Sequence, residues 1–264
     1  MIILRETLPK GLKMDDDKIA EQREFLKDSL RQTINFRFTD QHQGIEPPPV
    51  QKPPHPEQEL IPLPGQGKWT PFRGTDLLDA ISNRKSHRQF NSESLSLPEL
   101  AFLLWSTQGI KQELAQGTAL RTVPSAGCRH PFETYLLISN VEGLEIGIYR
   151  YLPIEHALVL ERKDKDLVEK LSPATLGQTF TAAAPVTFVW TALPYRTEWR
   201  YTTAAHRVIL MDVGHVCQNL YLACESIGCG TCAIAAYNQN LMDQLVDVDG
   251  TDEFTLYLAP VGKC

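Results

Sequence analysis

Two arginines and a serine at two-residue spacing, in Arg84-Lys85-Ser86-His87-Arg88, are the residues whose types and pattern most directly suggest chemistry. Arg84 and Arg88 share a face whether the segment is helical, where i and i+4 coincide, or extended, where the period is two. Ser86 joins them only in the extended form. Two guanidinium forks and a hydroxyl converging on one point suit a phosphate dianion, each charge-assisted bond contributing roughly 1.5–3 kcal/mol. The same cations also suit the C-terminal end of a short helix over 76–83, whose dipole they would stabilise with no ligand present.

Two segments of small residues let backbone approach a flat ligand. Pro124-Ser125-Ala126-Gly127 lies just before a strand pattern, and Gly228-Cys229-Gly230-Thr231-Cys232-Ala233-Ile234-Ala235-Ala236 follows the longest helical pattern. The second offers N–H groups with little side-chain cover, although tight helix-to-strand packing explains it equally well. Neither segment is a G-x-G-x-x-G or a Walker A loop, so no dinucleotide or P-loop fingerprint is present. Cys224, Cys229 and Cys232 have the C-x4-C-x2-C spacing of a plant-type iron–sulfur site. Cys217 and Cys224, however, fall inside a strongly apolar helix, where Cys serves as a small core residue. No metal is assigned, and no base is evident to activate a Cys nucleophile.

The elements that must position these residues follow from periodicity. Residues 76–83 read as a short helix, and Ser96-Leu97-Pro98-Glu99 is a capping-box start for a helix stopping at Gly109. Strand patterns occupy 132–139, 146–152, 157–161, 185–192 and 253–261, with a further helix near 239–246. The longest helix spans 203–228 and is apolar almost all round, as a fully buried helix would be. Within it Asp212, His215 and Asn219 fall at steps of three and four beside Gly214, a polar stripe that needs an internal network or a polar partner across an interface.

The first third has a different texture. Residues 18–31 place Ile19, Phe25, Leu26 and Leu30 loosely on one helical face among many charges. From Pro47 to Pro64 the chain holds eight of its 18 prolines and reads as an extended connector, not a packed element, with a proline-rich ligand motif as the alternative. The division expected is an N-terminal helix and Pro-rich arm over 1–68, then a second unit over 69–264.

Length and charge exclude several functions. The 264 residues carry 26 Lys+Arg against 32 Asp+Glu, a net charge of −6, so nucleic-acid or anionic-membrane binding would need a local basic patch that is not found. The start, MIILRETLPK, lacks the basic beginning and long apolar stretch of a secretory signal, and no window approaches a membrane span. Six cysteines without an export signal point to free thiols in the cytoplasm.

In order and spacing, R-x-S-x-R at Arg84–Arg88, Pro124-Ser125-Ala126-Gly127 ahead of a strand at Phe132, Gly214-His215 with Gln218-Asn219-Leu220, and a terminal strand ending Pro260-Val261-Gly262-Lys263 resemble the nitroreductase family of flavoproteins. The likeness extends over residues 75–263. It is nearest to the SagB-type dehydrogenase branch, through Pro131, Glu133 and Tyr135 after the small-residue loop. Two positions depart from the pattern: Cys128 stands where many relatives have Asn, and Arg200-Tyr201 where SagB-type azoline oxidases use Lys-Tyr.

The resemblance implies an α+β fold, with a central mainly antiparallel sheet flanked by helices, and an interlocked homodimer with FMN at the interface. By matching positions Arg84, Ser86 and Arg88 would grip the FMN phosphate, with Lys263 adding charge nearby. Pro124, Ser125, Ala126 and Gly127 would line the isoalloxazine from the partner subunit, and N–H groups near Ala235 and Ala236 would approach flavin N5 and O4. NADH or NADPH would be the electron donor and a nitroaromatic, a quinone or another electron-poor small molecule the acceptor. Tyr201 is the candidate for moving a proton. Arginine stays charged at neutral pH and cannot replace the lysine of the azoline oxidases as a base. The alternatives are a peptide-azoline dehydrogenase and a non-catalytic flavin-binding scaffold.

Overall fold

The computed structural model describes residues 15–69, 74–114 and 118–264. The reading of residues 1–10 as lacking an export signal lies outside them. Described elements run in the order α1 (Asp16–Phe25), β1 (Leu60–Pro62), α2 (Leu77–Asn83), α3 (Leu97–Gln108), β2 (Ile110–Leu114), β3 (Thr118–Arg121), β4 (Phe132–Ile138), β5 (Gly147–Leu152), β6 (Ala157–Lys163), α4 (Leu167–Ala174), β7 (Val186–Ala192), α5 (Tyr195–Tyr201), α6 (Ala205–Ser226), β8 (Cys229–Thr231), α7 (Gln239–Val246) and β9 (Phe254–Lys263). Seven strands form one antiparallel sheet in the order β1-β6-β5-β4-β7-β9-β8, and β2 with β3 makes a separate hairpin. The expected α+β architecture, a mainly antiparallel sheet flanked by helices, is the one observed.

Alternation along the central strands explains why both faces are covered. In β4 and β7, Leu136, Ile138, Val186, Phe188 and Trp190 point to one face and pack with α3 and α6. Tyr135, Leu137 and Val189 point to the other and pack with α4 and α7. A strand buried on both faces reads as a largely apolar run, as VTFVWTA does and as FETYLLI does apart from Glu133 and Thr134.

Helix α3 begins where its capping box puts it: Ser96 Oγ accepts from the Glu99 N–H, and the Glu99 carboxylate accepts from the Ser96 N–H at 2.9 Å. Helix α1 is shorter than the pattern over 18–31 suggests. It ends at Phe25, a 3-10 turn follows at Ser29–Thr33, and no α1 residue is buried.

Two expectations need correction. The Pro47–Pro64 segment is extended, but it is also packed: β1 pairs with β6 at the sheet edge and Leu63 enters the core. Buried charge holds it there. Glu133, 2% exposed, accepts from the Lys52 N–H at 2.7 Å and pairs with Arg196 and Arg150. Arg150 donates to the carbonyls of Lys52 and Pro53 and to Glu161, and the Arg121 guanidinium donates to the Val50 carbonyl at 2.7 Å. Both guanidiniums reach backbone carbonyls, the group that a proline-rich segment keeps at every residue. Helix α6 is also not buried all round, because Leu210, Met211, His215 and Gln218 are exposed while Asp212 is buried. The polar stripe straddles the boundary between its two faces.

Candidate functional site

Helix α2 ends at Asn83, and the chain leaves it extended, with Arg84 at φ −51° and ψ 125°. Extended backbone puts Arg84, Ser86 and Arg88 on one side by the period of two. Ser86 bridges to Thr231 at the end of β8, and the His87 N–H donates to the Thr231 carbonyl at 2.9 Å. Gly230 makes this approach possible, since a Cβ there would lie 2.5 Å from His87 Cγ. Among the described residues neither Arg84 nor Arg88 has an acidic partner. An open depression of about 780 Å³ runs along residues 85–91 to Cys264.

Tyr221, the one Phe, Tyr or Trp of α6, joins this cluster to the small-residue segment. Its hydroxyl is 2.9 Å from Ser86 Oγ and accepts from the Ala233 N–H at 2.9 Å, while the Arg84 guanidinium sits 5.2 Å over its ring. Ile234 then exchanges backbone hydrogen bonds with Leu258. That pins the chain so that Ala235 and Ala236 are exposed and their N–H groups have no partner among the described residues. Sequence reasoning missed Tyr221; a lone phenol on an otherwise aliphatic helix was the available signal.

Pro124–Gly127 forms a second cluster. Ser125 Oγ donates to the buried Asp212 carboxylate at 2.5 Å and accepts from the His130 N–H at 2.9 Å, and the Ala126 N–H donates to the same carboxylate. Burial pushes the Asp212 carboxyl above its ordinary range, against the opposing pull of those donors. Gly127 has φ +60°, and a Cβ there would stand 2.6 Å from Tyr201 Oη and 2.9 Å from Arg200 Cδ. Tyr201 and Arg200 therefore lie on this loop. Cys128, His130 and Thr202 also take positive φ (55°, 46° and 48°), a concentration of strained backbone around one loop.

The structure brings Arg84, Ser86 and Arg88 together with the segment leading to Ala235 and Ala236, and separately brings Pro124–Gly127 to Tyr201. Asp212 and Tyr221, which anchor the two clusters on α6, are nine residues apart, roughly 14 Å of helix. The Lys263 ammonium is engaged by other groups. Lys263 pairs with Glu99 and donates to the Ile227 carbonyl at 3.0 Å. Burial pushes the Cys224 thiol up and the Cys229 thiol to about 12, so both are protonated core groups at neutral pH.

Burial, then the Arg121 charge, depress the His130 imidazole to about 3, and its Nε2–H donates to the Ala119 carbonyl. A depressed folded-state value gives stability that is present above the unfolded value of about 6.5 and lost as pH falls toward 3. The melting temperature should therefore fall with acidification across that window, and less steeply in His130→Asn, which tolerates the positive φ. Parallel slopes in thermal melts from pH 7 to 4 would contradict this.

Among the described residues no helix is long and apolar enough to cross a membrane. The chain is 35% identical over 187 residues to a nitroreductase-named protein of Methanocaldococcus jannaschii, a match covering 71% of this chain and 90% of that one. It is 29% identical over 144 residues to the trifolitoxin-processing protein TfxB of Rhizobium leguminosarum bv. trifolii, covering 51% of this chain and 38% of the other. A nitroreductase-named structure from Ralstonia eutropha superposes with a TM-score of 0.64 at 24% identity, over 83% of this chain and 98% of that one. The Nitroreductase family model matches residues 81–263, which include both clusters, and the chain belongs to the nitroreductase family.

Proposed function

We propose that this protein is a cytoplasmic FMN-dependent oxidoreductase that uses NADH or NADPH to reduce an electron-poor small molecule, such as a nitroaromatic or a quinone. The observation that carries the reading is the set Arg84, Ser86 and Arg88, whose two guanidiniums have no acidic partner among the described residues, beside the Ala235 and Ala236 N–H groups, which have no partner among them either. That donor set fits FMN: guanidinium forks for a phosphate, and exposed N–H groups flanked only by methyl side chains for the edge of a flat ring.

Bound FMN supplies a carrier that takes up and gives back a hydride. Arg84, Ser86 and Arg88 hold the phosphate, and Tyr221 fixes Ser86 and the Ala233 backbone relative to each other. The Ala235 and Ala236 N–H groups donate where the ring gathers negative charge. Asp212 and Ser125 set the shape of Pro124–Gly127, and Tyr201 presents its O–H to the acceptor across Gly127. The two clusters on one chain match a homodimer in which each subunit supplies one half of each site. Exposed Leu77, Leu78 and Ile81 on α2 and Leu210 and Met211 on α6 are apolar surface suited to that contact.

The similarity to TfxB over half the chain favours one second reading, a SagB-type dehydrogenase that oxidises peptide azolines. Anaerobic assays separate the two. NAD(P)H-dependent reduction of a quinone or nitroaromatic is expected; azoline oxidation without NAD(P)H, and no reaction with it, would replace the first reading by the second. Tyr201→Phe should slow acceptor turnover about 100- to 10,000-fold while flavin stays bound, the range of a lost proton donor. Unaltered kinetics across several acceptors would remove Tyr201 from the mechanism.

A further inference from the structure

The surroundings of Gly127 and Tyr201 carry a charge imbalance. Arg200 lies against Gly127 and 5.6 Å from the Tyr201 ring. The Arg31 guanidinium covers the same ring at 5.8 Å, reaching it from the N-terminal segment. Arg129, 4% exposed, stacks 4.7 Å over Trp199 and donates through Nε to the Arg196 carbonyl.

The nearby carboxylates are already engaged. Arg31 and Arg207 share Asp28, Arg196 pairs with Glu133, and Glu198 pairs with His206. Asp212 lies beneath the loop and accepts from Ser125 and Ala126. Arg129 and Arg200 are left with no carboxylate among the described residues. A half-buried guanidinium near a second, buried one repels it, and an anion bound at the half-buried one would offset that repulsion. Burial lowers the Arg129 value below the ordinary one, and the charges of Arg200 and Arg196 lower it further.

We infer that the surface formed by Arg200 and Tyr201 against Gly127 takes an anion, and that Arg200, backed by Arg129, binds a carboxylate or another oxyanionic group on the substrate. This rests on the reading of Tyr201 as facing the acceptor, and it assigns the substrate class. The planar fork suits a bidentate oxyanion, which lysine at this position would contact only as a point charge. Arg31 brings the N-terminal segment against the Tyr201 ring.

The test is calorimetric titration of the FMN-loaded protein with benzoate and, separately, with uncharged benzamide of nearly the same shape. Benzoate is expected to bind at least about tenfold more tightly, and more weakly as salt is raised. Arg200→Gln should remove most of that preference, and Arg200→Lys should keep part of it, which a purely structural role for the side chain would not produce. Equal affinities for the two ligands in the unmodified protein, or a preference retained in Arg200→Gln, would overturn the inference. A protein that prefers benzoate but whose FMN is not reduced by NADH or NADPH loses the proposed function and keeps the anion site. One whose flavin is reduced but binds both ligands alike loses only the anion site.

Discussion

Arg84→Ala and Arg88→Ala are each expected to weaken FMN binding about 10- to 100-fold, the equivalent of one charge-assisted contact to a phosphate at roughly 1.5–3 kcal/mol. The effect is large because neither guanidinium has an acidic partner among the described residues, so little is rearranged when a phosphate arrives. Arg84 is also held over the Tyr221 ring and Ser86 is held by the Tyr221 hydroxyl, which limits the entropy lost on binding. Both variants should fold, since the segment is exposed or half-exposed and contributes little to the core. Titration of flavin-free protein with FMN, followed by the quenching of flavin fluorescence, measures the change. Unchanged affinity in both variants would remove the phosphate grip.

The second large effect is on stability. Glu133→Gln should destabilise the fold by about 3–5 kcal/mol, because it leaves Arg196 and Arg150 buried with their shared countercharge removed. The same carboxylate holds the Lys52 N–H, so the Pro-rich segment should loosen along with the global loss. Lys163→Ala removes an exposed cation paired to the exposed Glu145, and its cost should be a small fraction of that loss. Thermal or denaturant melts compare the two, and limited proteolysis between residues 50 and 60 reports the segment. Equal small costs for both variants would show that the buried cluster is not what secures it.

Much of the fold is legible locally. The capping box at Ser96 and the stop at Gly109 bound α3 at both ends, because both signals act within a single turn. The apolar runs of β4 and β7 give those strands to within one residue. The elements that escape sequence reading depend on distant partners. β1 is three residues among prolines and exists because β6 offers it an edge. β8 reads Cys-Gly-Thr and is made a strand by β9. Helix α5 has no side-chain cap, and its last residue leads into the strained Thr202.

The candidate site divides in the same way. The arginine spacing needs only the extended period to be meaningful, and the end of α2 at Asn83 supplies it. Lys263 is close in sequence to the right strand end, but Glu99 claims its charge, a contact 164 residues away that no local pattern encodes. The polar stripe of α6 was visible, yet the division of its members, with Asp212 holding the Ser125 loop and His215 facing out, depends on tertiary packing. Arg31 reaches Tyr201 from 170 residues away and was likewise out of range.

Whether this chain binds FMN and cycles it with a nicotinamide donor, as proposed, is read most directly from the absorption spectrum of the purified protein. The bound chromophore is then released by heat, identified by mass, and, in an intact sample, challenged with NADPH or NADH under anaerobic conditions. The expected result is a yellow protein whose released cofactor has the mass of FMN and whose visible band bleaches with the donor. A colourless protein that fails to take up added FMN, or a bound flavin that neither nucleotide bleaches, would contradict it.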